Sequence, residues 1–123
     1  MPTRISGLLF FLFISLVIAA GCGKKSESEL FTIAENAQNS GKPMDAIKAY
    51  RTLVDDYPSS PHRPKALFMI GFVYSEELAD TSRAIKAFES FLKEYPGNDL
   101  ASSAQFMVKT LKGEATDPIS IGQ

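Results

Sequence analysis

The chain has no tryptophan, and among its 123 residues there is one cysteine, Cys22, and one histidine, His62. A single thiol closes no internal disulfide, so any soluble domain here is held by packing alone. No His/Cys cluster has metal-ligand spacing. A nucleophile would need a positioned base, and His62 lies in a turn-like stretch between Pro61 and Pro64. No glycine-rich loop runs into a helix that opens with Lys-Ser or Lys-Thr, which excludes a phosphate cradle of that kind. Neither sign of charge dominates: 13 basic residues face 14 acidic ones, leaving no electrostatic grip on nucleic acid. The paired acids Asp55-Asp56 and Glu76-Glu77 fall at helix ends and read as solvated faces. The expectation is a non-enzyme with no catalytic residue, no cofactor and no metal.

Long apolar sequence is confined to one place. After Arg4, an uncharged run from Leu8 to Ala20 ends in Ala19, Ala20, Gly21 and Cys22. A positive end, a short greasy core and small residues make a secretory signal. The 16 residues from Ile5 to Ala20 are short against the roughly 20 that a membrane-spanning helix needs. The only cysteine sits where a bacterial lipoprotein signal places its lipidated residue, and the segment resembles one, with Ala19 where that family usually has leucine. The resemblance implies that residues 1–21 are removed and that acyl chains on Cys22 anchor the rest. Loss of Arg4 leaves 12 basic against 14 acidic side chains, a net charge of −2 over 102 residues. That length makes one domain with a modest core. Gly23 after the cysteine, in place of an aspartate retention signal, points to the outer membrane facing the periplasm; the inner membrane is the other option.

Residues 22–27 read as a polar tether that lets the domain stand off the bilayer. Beyond them the apolar residues follow helical spacing. Ser26 and Glu29 form a capping-box pattern opening a helix to about Asn39. Gly41 breaks it, and Pro43 suits the first position of a second helix, which ends at Tyr57 before Pro58. A third helix is expected from Pro61 to Leu78, a fourth from Asp80 or Thr81 to Tyr95, and a fifth from Asn98 to Lys112. Residues 113–123 read as a flexible tail.

The chain also repeats itself. Residues 45–58, DAIKAYRTLVDDYP, align without a gap on residues 83–96, RAIKAFESFLKEYP, 38 positions later. The preceding helices match as well, LFTIA at 30–34 with LFMIG at 67–71, and the pattern returns as Ala104, Phe106, Met107 and Val108. The architecture is therefore all-α, two helix pairs plus a closing helix over residues 28–112.

This pattern resembles the tetratricopeptide repeat (TPR), from about Leu30 to Lys112. In the second unit Gly71, Tyr74, Ala84, Phe88 and Pro96 stand at the family's positions; in the first, Ala34, Ala37, Ala46, Tyr50 and Pro58 do. The resemblance implies a right-handed α-solenoid in which Gly71 and Ala84 let two helices approach, while Phe88 and Tyr74 fill the gap between neighbouring hairpins. The longer period and the Tyr-Pro endings are closer to outer-membrane lipoproteins of the BamD type, and also resemble the periplasmic Tol-Pal coordinators of the YbgF (CpoB) type. Such proteins are binding scaffolds. The implied partner is an envelope protein segment, in outer-membrane assembly or alternatively in Tol-Pal and cell-wall coordination, a pilus or a secretion system. Self-association into a structural module is a further alternative. Family contacts carried onto this chain fall on Phe31, Glu35, Gln38 and Asn39, on Lys65, Phe68, Phe72, Ser75 and Glu76, and on Phe106 in the last helix. Phe31, Phe68 and Phe106 form a ladder with two readings, rings that pack hairpin on hairpin or an exposed stripe for a partner peptide.

Overall fold

The computed structural model describes residues 23–114, and the expected signal segment, Cys22 and the chain beyond Glu114 lie outside the described residues. Within them are five helices and no strand: α1 (Glu27–Asn39), α2 (Pro43–Asp56), α3 (Arg63–Glu76), α4 (Thr81–Glu94) and α5 (Ala101–Leu111). The capping box forms as expected. Ser26 N–H donates to Glu29 Oε2 at 2.7 Å, and Glu29 N–H donates to Ser26 Oγ at 3.2 Å. At its other end α1 stops in a Schellman turn: Gly41 takes φ +67°, and Lys42 N–H donates to Ala37 O at 2.8 Å. Asp80 caps α4 through Oδ1, which accepts from Arg83 N–H at 3.0 Å.

Two helices start later than the sequence suggests. The Ser60 hydroxyl accepts from His62 N–H at 3.0 Å, and Asn98 Oδ1 accepts from Leu100 N–H at 3.0 Å. In both places a short polar side chain satisfies the backbone in a turn, which delays helix formation by two or three residues. The third helix also ends at Glu76 instead of Leu78, because Ala79 adopts φ +50° and Asp80 N–H returns to Tyr74 O at 2.8 Å.

Each helix packs on its neighbours in the chain, α1 on α2, α2 on α3, α3 on α4 and α4 on α5. This is a stack of TPR-like hairpins. Ala34, Ala46, Ala66, Ala84 and Ala104 are fully buried, as are the rings of Tyr50, Phe88 and Phe91. Gly71 shows why a small residue is needed. A Cβ built there would lie 2.9 Å from Phe88 Cδ1 and Cε1. The Phe88 ring packs against Gly71 of its own hairpin and edge-on to Phe68 with centroids 5.2 Å apart. Tyr74 does reach the neighbouring hairpin, where its hydroxyl accepts from Arg51 Nη2 at 3.0 Å. Arg63 clamps three helix ends. It donates through Nε to Val54 O at 3.1 Å and through Nη1 to Tyr95 Oη at 2.7 Å, and it also pairs with Glu94. The Glu94 hydrogen bond raises its pKa further above the ordinary arginine value.

The last helix is built as a lid. On α3, Leu67, Gly71 and Tyr74 are buried. Their counterparts 38 positions later are Gln105, Lys109 and Lys112, all exposed. Polar residues at these places make this face a poor seat for another helix, the kind of outer face that caps a repeat stack. Lys112 also ties α5 to α4 through Glu89, Nζ to Oε1 at 2.8 Å.

The Gly71 contact carries a stability prediction. Gly71→Ala gains up to about 1 kcal/mol of helix propensity, yet its methyl meets a ring with no free space around it. The net change should be a loss of about 1–3 kcal/mol, the usual cost of overpacking, with Gly71→Leu worse. Ala84→Leu should fall in the same range. Urea titration followed by circular dichroism measures all three, and parent-like midpoints would refute the contact.

Candidate partner-binding face

The first helices of the units, α1 and α3, and the closing helix α5 contribute two depressions on one side of the stack. The first lies between α1 and α3, about 520 Å³ in volume, and is lined by Glu35, Asn36, Gln38, Asn39, Tyr50, Lys65 and Met69. Its polar groups are largely engaged with one another. Tyr50 Oη donates to Gln38 Oε1 at 2.8 Å, and Gln38 Nε2 donates to Glu77 Oε1 at 2.8 Å. Burial, with the carboxylates of Glu35 and Glu77 adding to it, pushes the Tyr50 phenol far above its ordinary pKa, so it remains a donor. Gln38 thus links α1 to α2 and to the end of α3, and is occupied at both ends of its amide. Glu35 and Lys65 approach to 3.9 Å across the rim, an exposed pair of small energetic weight.

Phe31 lies beneath this rim and is 8% exposed. Three side chains close over its ring. Tyr50 meets it edge-on at 5.5 Å, His62 stacks on it at 5.3 Å, and the Lys65 ammonium stands 4.9 Å above its centroid. The lone histidine is accordingly a packing partner of Phe31. Among the described residues, no three His, Cys, Asp or Glu side chains are grouped to hold a metal ion.

The second depression lies between α3 and α5, about 380 Å³, and is lined by Phe68, Phe72, Ser102, Ser103, Phe106 and Met107. It occupies the next interval of the same repeat, but its covering residues differ. Lys65 and His62 are answered 38 positions later by Ser103 and Leu100. Serine has no stem to lay over an aromatic ring, so the floor stays open. Phe68 packs edge-on against Phe88 and Phe91, at 5.2 and 5.9 Å, and shows its remaining side to the groove. Phe72 is 37% exposed and Phe106 is 63% exposed. Phe106 stands out further because α5 replaces its neighbouring apolar positions with polar ones and keeps this ring.

The ladder is thus divided, with Phe31 core, Phe68 intermediate and Phe106 solvent-facing. Of the other residues expected here, Glu35, Gln38, Asn39 and Lys65 gather in the polar depression and Phe72 in the apolar one. Ser75 and Glu76 lie beyond both, where Ser75 Oγ donates to Glu76 Oε1 at 2.8 Å. Sequence reading omitted Asn36, Tyr50, Met69, Ser102, Ser103 and Met107. The exchange of Lys65 for Ser103 was the signal that could have found the groove.

A family model described as YfiO, outer membrane lipoprotein, matches residues 23–117. No match was found among curated proteins.

The division of the ladder is measurable without any partner. Phe31→Ala removes a buried ring and should cost about 3–5 kcal/mol. Phe106→Ala removes a solvent-facing one and should stay within about 0.5 kcal/mol of the parent. Equal losses in urea titration would mean that Phe106 is core.

Proposed function

The chain belongs to the YfiO family of outer membrane lipoproteins, and on that premise we propose that it is a lipid-anchored scaffold that binds a segment of another envelope protein in outer-membrane assembly. In this reading residues 1–21 are the export signal, Cys22 carries the acyl chains, and residues 28–112 are the binding domain with a short tail after it. The work is equilibrium recognition by a preformed groove, with the anchor fixing where it takes place. The observation that carries the reading is Phe106, a ring left in solvent on a helix whose other outward positions are polar. Exposed aromatic side chains beside small ones make a pocket for an apolar anchor residue. Phe68, Phe72 and Met107 supply the walls, and the hydroxyls of Ser102 and Ser103 can bond a peptide backbone. The polar depression next to it, with Glu35, Gln38, Asn39 and Lys65, extends the contact and sets direction. The polar outer face of α5 disfavours the rival reading, end-to-end stacking of copies through that end.

Two measurements test this. Cys22→Ser should move the protein from the membrane fraction to the soluble periplasm, and an unchanged membrane fraction would sink the anchor. Separately, Phe72→Ala and Phe106→Ala should each weaken co-purification with envelope partners about tenfold or more, as hot-spot truncations do, with the melting temperature held. Undiminished capture by the double variant would remove the groove from the function.

A further inference from the structure

The two ends of the stack are finished differently. At the α5 end the interface positions are polar. At the α1 end they are not: Leu67 and Ile70, buried on the side facing α2, are answered by Leu30 and Ile33, beside which no preceding helix stands among the described residues. Ile33 is 39% exposed and Met44, at the start of α2, is 56% exposed. Leu30, Ile33 and Ala49 floor a depression of about 330 Å³ rimmed by Lys24, Lys25 and Lys48. Asp45 and Asp56 also stand on this rim, and Lys24 pairs with Asp56 at 3.5 Å, leaving Lys25 and Lys48 against Asp45.

The segment before α1 is also not a free tether. Tyr57 Oη donates to Lys25 O at 2.6 Å, and the Lys24 ammonium lies 4.8 Å from the centroid of the Tyr57 ring. These contacts fix Lys24 and Lys25 to the end of α2. Only Gly23 separates them from Cys22. Two Cα steps reach about 8 Å, too short for the domain to stand away from a bilayer that holds Cys22.

We infer that the α1 end of the stack rests on the phospholipid surface, with Ile33 against the acyl boundary and Lys25 and Lys48 reaching the phosphates. The inference rests on the anchor at Cys22. The leash dictates which end meets the bilayer, and the apolar, lysine-rimmed face at that end is chemically suited to it. The groove with Phe106 lies toward the opposite end of the chain of helices, clear of the lipid.

The test uses the acylated protein in vesicles of phosphatidylethanolamine and phosphatidylglycerol. With Cys22 blocked by lipid, Ile33→Cys and Gln105→Cys each take one fluorophore. Brominated lipids should quench the label at position 33 at least twofold more than at 105, and Lys25→Glu with Lys48→Glu should narrow that difference. Equal weak quenching at both positions overturns the inference. So does a label at 33 that is shielded from water yet blind to brominated lipid, because a second copy or a protein partner then covers the face. Intact mass separates the two readings. Unacylated protein defeats the anchor and this inference with it, whereas acylated protein with an unquenched label defeats the inference alone.

Discussion

The close approach of α3 and α4 at Gly71 is the contact on which the remaining geometry depends. With no Cβ in the way, the Phe88 ring fits against Gly71 and Phe68 meets it edge-on. That orientation leaves one side of Phe68 as groove floor and brings Phe72, one turn on, to the groove edge. A side chain at position 71 would push α4 outward and lift Phe68 with it. The rigid core of this small domain and the shape of its candidate groove are thus set by the same few atoms. A domain of this size without a disulfide has few other sources of rigidity.

Around that contact the repeat acts as a template that is edited position by position. Three copies of the first-helix pattern carry phenylalanine at one place, and what happens to each ring is decided by the unit that follows. Lys65 and His62 seal Phe31, whereas Ser103 leaves one side of Phe68 open to the groove. The same logic distinguishes the ends. Gln105, Lys109 and Lys112 close one, while Leu30 and Ile33 leave the other apolar. Editing of this kind turns a stack of near-identical hairpins into a directional object with one closed end, one greasy end and a groove between α3 and α5.

Much of this was legible in sequence because it is local. The capping box at Ser26, the breaks at Gly41 and the Tyr-Pro pairs, and the 38-residue register each follow from interactions within a few residues or from self-similarity. The late starts of α3 and α5 were missed because Ser60 and Asn98 offer the backbone an alternative bond that apolar periodicity does not register. The ladder could not be resolved from its own three residues, since the exposure of a ring depends on the side chain that covers it from the next unit. The pinning of Lys25 by Tyr57 joins residues 32 positions apart. No short-range pattern announces such a bond, and the polar composition of residues 22–27 suggested a free tether in its place.

A groove of this size sets a scale for recognition. Covering the rest of Phe106 removes on the order of 100 Å² from water, worth about 2–3 kcal/mol, and Phe72 contributes less because it is already two-thirds shielded. Set against the entropic cost of association, such contacts make a weak complex in free solution. Confinement changes the balance without any new contact. If scaffold and partner are held at the same membrane, their encounter resembles an intramolecular one at an effective concentration of about millimolar. A modest groove on an anchored domain then suffices for selective capture while still allowing release. In the proposed reading this accounts for a domain whose most exposed ring among the described residues, Phe106, stands 63% in the solvent.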